Sequence, residues 1–107
     1  GIVLWDAFPI SEGHALVIPK QHAASLYDLA EDTQASLWKF VGEVRSRLIA
    51  KLDSDGFNTG VNDGRAAGQT VMHVHIHVIP RWKDDVPDPR GGIRWIIPDK
   101  ARYWGDE

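Results

Sequence analysis

The chain predicts an α+β domain: an antiparallel sheet of about five strands, one long and one short helix packed against it, and an extended C-terminal tail. Three observations carry this prediction. Two short apolar runs near the N-terminus flank a proline- and glycine-containing turn. A central stretch places apolar residues at helical spacing, and the segment Met72–Val78 alternates strictly between apolar residues and histidine.

The elements follow in order. Ile2 to Asp6 is an apolar run that reads as a strand, and Phe8 to Gly13 supplies turn chemistry, because proline restricts φ and glycine permits positive φ. His14 to Ile18 reads as a second strand, ended by Pro19, so the two form an antiparallel hairpin with a long connection. Ser25 is placed to cap a short turn of helix through Leu29. Asp32 or Thr33 opens the main helix, whose stripe is Leu37, Phe40, Val41, Val44, Leu48 and Leu52. Lys39, Glu43, Arg45, Arg47 and Lys51 fall mostly off that stripe and read as a solvated face. After the break at 53–56, Phe57 to Asn62 reads as a third strand, and Val71 to Ile79 as a fourth that Pro80 closes. The residues between them, Asp63 to Gly68, form a loop with glycine freedom. The proline-containing arm 82–107 is expected to wrap around the domain or reach a partner.

Composition narrows the function classes. With 107 residues, 43% of them hydrophobic, the chain fits one domain spanning 1–107. A net charge of −3 argues against nucleic acid or a membrane surface as partner. No apolar run approaches the ~20 residues that a membrane span needs. Residues 1–5 are too short for a signal peptide and follow no basic stretch, although a chain opening on Gly1 fits a piece lacking upstream elements. The absence of cysteine excludes disulfides, thiolate zinc sites and cysteine nucleophiles, and fits a reducing, cytoplasmic setting.

The chemistry lies in His73-Val74-His75-Ile76-His77-Val78. On a strand, residues two apart share one face at about 6.6 Å, so His73, His75 and His77 line one surface while Val74, Ile76 and Val78 enter the core. Such a row can hold a metal, bind phosphate or attack an electrophile. A single ion fits poorly, because the outer pair lies about 13 Å apart along the backbone, unless His14 or an acidic residue supplies a further ligand. Nucleophilic attack on phosphorus uses each position: the middle imidazole attacks through one nitrogen while its other is held by a hydrogen bond, and its neighbours donate to phosphate oxygens. The preceding Gly68-Gln69-Thr70 adds a close backbone approach, an amide and a hydroxyl. Taken alone, Asp6 would cap the Phe8-Pro9 turn, and Asn62, Gln69 and Thr70 would satisfy loop backbone groups.

Gly68 to Arg81, with its H-φ-H-φ-H-φ-φ pattern, resembles the signature of the histidine triad (HIT) superfamily. Gly13-His14-Ala15-Leu16-Val17-Ile18-Pro19-Lys20 and the Asn62 strand end are similar to two further elements of that family, so the resemblance runs from about Leu4 to Arg81. The tail from Asp85 to Trp95 looks like that of bacterial members. The resemblance implies a hydrolase or transferase acting at the α-phosphate of a nucleoside compound such as a dinucleoside polyphosphate. His75 would be the nucleophile of a covalent nucleotidyl-histidine intermediate. His77 would contact phosphate oxygens, and His73, with His14, would orient the nucleophile. Asn62, Gly68, Gln69 and Thr70 would face the phosphate and leaving group, and Asp6 the ribose hydroxyls. Leu4, Ala7 and Ile18 would bracket the base.

No resident cofactor is implied, with Mg²⁺ at most accompanying the substrate. A homodimer is expected, with Trp82, Trp95 and Trp104 available for the contact. The cysteine pair that holds structural zinc in some members is absent, as are an N-terminal strand and helix found in many. Thr70 leans towards dinucleoside polyphosphate cleavage, serine being usual there in nucleoside phosphoramidate hydrolases. A nucleotide-binding module without turnover and a metal-binding protein are the alternatives from other classes.

Overall fold

The two N-terminal apolar runs form β1 (Ile2–Trp5) and β2 (Ala15–Ile18) in the computed structural model, which describes residues 1–105. They pair antiparallel with Ile2 opposite Ile18 and Trp5 opposite Ala15. The connection turns at Gly13, whose φ of +79° suits glycine, and a side chain there would run into Leu52 and Leu48 of the long helix.

Ser25 caps the short helical turn Leu26–Asp28 as its position predicts, with its hydroxyl accepting from the Tyr27 amide and Asp28 reaching back to the Ser25 amide. The long helix α1 (Glu31–Leu52) starts earlier than expected. Ala30 occupies the cap without a side-chain bond, and Asp32 lies within the first turn, where its charge complements the helix N-terminus. Asp53, at φ +55°, ends the helix before Gly56 is reached.

β3 (Gly56–Gly60) and β4 (Ile76–Arg81) complete a sheet ordered β1-β2-β4-β3, so the sheet has four strands rather than five. All its neighbours are antiparallel, with Leu16 and Gly60 flanking His77 on either side. Leu37, Val41, Val44 and Leu48 of α1 bury against Ala15, Val17, Val74, Ile76 and Val78. Each buried valine, leucine or isoleucine among them contributes about 1.5–3 kcal/mol, which pins the sheet to the helix through this one face.

Two expectations at the C-terminal end are corrected. Pro80 does not close the fourth strand, which runs on to Arg81; the proline is buried and pairs opposite Phe57. The arm is not extended throughout: Gly92–Ile96 forms a 3-10 turn and Pro98–Ala101 the short helix α2, while 106–107 lie outside the described residues. Arg94 donates to the carbonyls of Ala101 and Lys100, folding the arm back on itself. At its base, Arg81 grips Asp85 through two nitrogens and holds that carboxyl down at about 2. Among the three tail tryptophans, Trp95 is exposed whereas Trp82 and Trp104 are half-buried, and the Arg90 and Arg102 guanidiniums lie 4.6 and 5.7 Å from the Trp104 ring centroid. No helix among the described residues is long and apolar enough to cross a membrane.

Candidate active site

The face of the sheet opposite α1 carries the histidines. Burial alternates from Val74 to Pro80, with His75, His77 and Ile79 half-buried between fully buried neighbours. Only His77 of the three belongs to a paired strand, because β4 begins at Ile76. His73 and His75 sit on a segment that continues the strand's alternation without its ladder.

Hydrogen-bond partners define the ring protonation of each histidine. The Nδ1 of His75 lies 3.1 Å from the carbonyl oxygen of His73. A carbonyl only accepts, so Nδ1 carries the proton and Nε2 keeps its lone pair. The Ile10 amide donates to Nδ1 of His14 at 3.3 Å, which leaves the neutral His14 ring protonated at Nε2. That Nε2 sits 2.9 Å from Nδ1 of His77 and 3.4 Å from Oδ2 of Asp6, so it donates chiefly to His77. His77 therefore accepts at Nδ1 and presents Nε2–H. The middle ring thus offers an unprotonated nitrogen beside a ring that offers a donor, with ring centroids 5.0 Å apart.

Burial, then the neighbouring His75 and His14, pulls the His77 pKa below its ordinary 6.5, against the opposing pull of Asp6. His77 is neutral at neutral pH. A histidine whose folded pKa is depressed binds protons more readily when unfolded, so its stabilising contribution is complete above 6.5 and is lost as pH falls through the lower folded value. Thermal melts below pH 6.5 should therefore show a falling Tm, and His77→Gln should flatten that fall.

Several predicted site residues take other positions than expected. The His73 ring does not turn to His75; its Nε2 donates to the Pro19 carbonyl at 3.2 Å, and His73 reaches His75 only through its own backbone carbonyl. His14 meets His77 and not His75. Asp6 points inward, accepting from the Phe8 amide at 2.8 Å and facing His14, which matches its reading as a turn cap. Gln69 is buried, with its carboxamide spent on Gly64, Ala24 and Val71 rather than facing the phosphate side. Asn62, Gly68 and Thr70 are exposed on the loop beside the row, and Gly68 adopts φ +97°. Around the suggested base position, Leu4 and Ala7 are exposed and Ile18 is half-buried.

His22 lies outside the alternating run 73–78. It packs edge-on against His73 with centroids 4.9 Å apart, while His75, His77 and His14 form a second run of rings, and the two groups meet only through the His73 backbone carbonyl. It stands three residues after Pro19, the proline that follows β2.

Among the described residues, Asp6, His14 and His77 bring potential metal ligand atoms within 4.8 Å of one another. The far nitrogen of His14 accepts from Ile10, however, whereas a ligating histidine characteristically donates there. The arrangement suits proton sharing better than a metal.

The chain matches the family model described as "HIT domain" over residues 2–84. It is 42% identical over 110 residues to an asymmetrical bis(5'-nucleosyl)-tetraphosphatase of Schizosaccharomyces pombe, covering 92% of this chain and 60% of that one. An adenosine 5'-monophosphoramidase of the same yeast is 35% identical over 106 residues, covering 95% and 74%. The crystal structure of a hypothetical histidine triad nucleotide-binding protein from Sulfolobus tokodaii superposes with a TM-score of 0.75 at 42% identity, over 80% of this chain and 58% of that one. The chain spans 43%, 54% and 62% of the length of three further relatives. With the family model covering most of its length and relatives of this identity along nearly all of it, the chain belongs to the HIT family.

Proposed function

We propose that the protein is a nucleotide hydrolase that attacks the α-phosphorus of a dinucleoside polyphosphate through His75. The observation that carries this is the free Nε2 lone pair of His75, held by the Nδ1–H bond to the His73 carbonyl and flanked by the Nε2–H of His77. Attack forms the Nε2–phosphorus bond and breaks the bond from phosphorus to the leaving oxygen, which departs as the anionic end of the remaining polyphosphate. The ring gains positive charge, which the His73 carbonyl stabilises at Nδ1–H. His77 donates to a non-bridging oxygen as charge gathers there. Water then attacks the same phosphorus and loses a proton to solvent, the phosphorus–nitrogen electron pair returns to Nε2, and the nucleoside monophosphate is released. The exposed Gly68 and Thr70, with Asn62 across the loop, would receive the phosphate, and Asp6 would reach ribose hydroxyls only by releasing a present partner. The scheme uses no resident metal, and Mg²⁺ would travel with the polyphosphate.

Nucleoside phosphoramidate hydrolysis is the second reading, favoured by the likeness to the yeast phosphoramidase over nearly the whole chain. Incubation with diadenosine tetraphosphate and, separately, adenosine phosphoramidate decides between them. The proposal expects AMP from both, with the larger kcat/KM on the tetraphosphate; a larger value on the phosphoramidate reverses the assignment. No AMP from either moves the protein to the binding-module reading. We also propose a homodimer in the cytoplasm. Exposed Ile93, Trp95, Ile96 and Ile97 offer an apolar surface for pairing, and sedimentation velocity should give twice the chain mass.

A further inference from the structure

We propose that Gln69 is a positioning residue for the nucleophile, acting by bolting the unpaired segment 69–75 to the loop 19–24. This rests on the reading of His75 as nucleophile. Residues 69–75 lie outside any strand, so no ladder fixes the backbone that carries His75. Three bonds to loop 19–24 stand in for one. Gln69 Nε2 donates to the Ala24 carbonyl at 2.8 Å, the Val74 amide donates to Ala23 at 2.8 Å, and the His73 ring donates to Pro19 at 3.2 Å. Together they grip the segment at both ends, and the His73 carbonyl between them holds His75.

Gln69 also ties this segment to the glycine loop. Its Oε1 accepts from the Gly64 amide at 2.9 Å, and the Gln69 backbone N–H donates to the Gly64 carbonyl at 3.1 Å. Nε2 shares its second proton with Val71 at 3.0 Å. A side chain only 5% exposed thus partners one backbone amide and two backbone carbonyls at once. Only a primary amide of this length supplies one acceptor and two donors here. Glutamate keeps the acceptor but, when ionised, faces two carbonyls with no proton to give.

The test compares Gln69→Met and Gln69→Glu with wild type. Displacing a reacting group by about 1 Å costs on the order of 100-fold in rate. The expected result is therefore a kcat of Gln69→Met lower by about that factor, with KM changed by less than threefold. Imidazole nitrogen NMR should show His75 as the Nδ1–H form in wild type and as a mixture in Gln69→Met. Gln69→Glu should regain kcat relative to wild type as pH falls from 8 to 5.5, because a protonated carboxyl donates again. A Gln69→Met that keeps wild-type kcat and the same His75 protonation overturns the proposal. If that variant does not fold, Gln69→Glu decides, and a pH profile parallel to wild type overturns it. Inactive wild type whose His75 still loses its single form in Gln69→Met would sink the hydrolase reading and leave the positioning role standing.

Discussion

His75→Ala should abolish release of AMP, with kcat down by at least about 10⁴-fold, while the melting temperature stays close to wild type. The reason for the second half is location. His75 lies half-buried on the face away from α1, and its one side-chain bond runs to a carbonyl within its own segment. Removing it leaves no cavity in the core, so the stability change should stay within about 1 kcal/mol. AMP binding measured by calorimetry should survive, because the His77 donor and the loop of Gly68 and Thr70 remain. A variant that keeps most of its turnover would remove His75 from the chemistry.

Ile76→Ala reverses the pattern. Ile76 stands between His75 and His77 but points the other way, 1% exposed and packed in the cluster with Val17, Val78 and the α1 stripe. Truncating a buried isoleucine costs about 2–5 kcal/mol, part of it from the cavity left behind. For a domain of this size that lowers Tm by about 10 °C or more. At temperatures where the variant is still folded, kcat per folded molecule should stay within a few-fold of wild type. Chemical denaturation beside single-substrate kinetics separates the two terms, and an unchanged denaturation midpoint would contradict the packing described.

The two variants differ by one position in sequence, and the opposite outcomes follow from the alternation alone. That alternation was legible in the residues, as were the α1 stripe, the Ser25 cap and the hairpin turn at Gly13. The polar partners were less legible because they are long-range. Gln69 in a glycine-rich loop reads as a phosphate contact until its amide is seen on Ala24, 45 positions away. The fourth strand reads as starting at Val71, yet the ladder begins at Ile76, and before it Gln69, His73 and Val74 donate to loop 19–24 instead. The same holds for His73, whose partner Pro19 is 54 positions distant. The tail reads as extended from its prolines, although Pro98 starts a helix, where its fixed φ and missing N–H cost nothing. Apolar period predicts faces well, since burial is set by local geometry. Individual hydrogen bonds depend on which loops meet, and no local pattern encodes that.

The most direct measurement of the central claim is a rapid acid-free quench of wild type and His75→Ala turning over α-phosphate-labelled diadenosine tetraphosphate. Peptide mapping by mass spectrometry then follows under alkaline conditions that preserve phosphorus–nitrogen bonds. Wild type should carry an adenylyl group on His75 and the variant none. Turnover without label, or label on a residue other than His75, would contradict that claim.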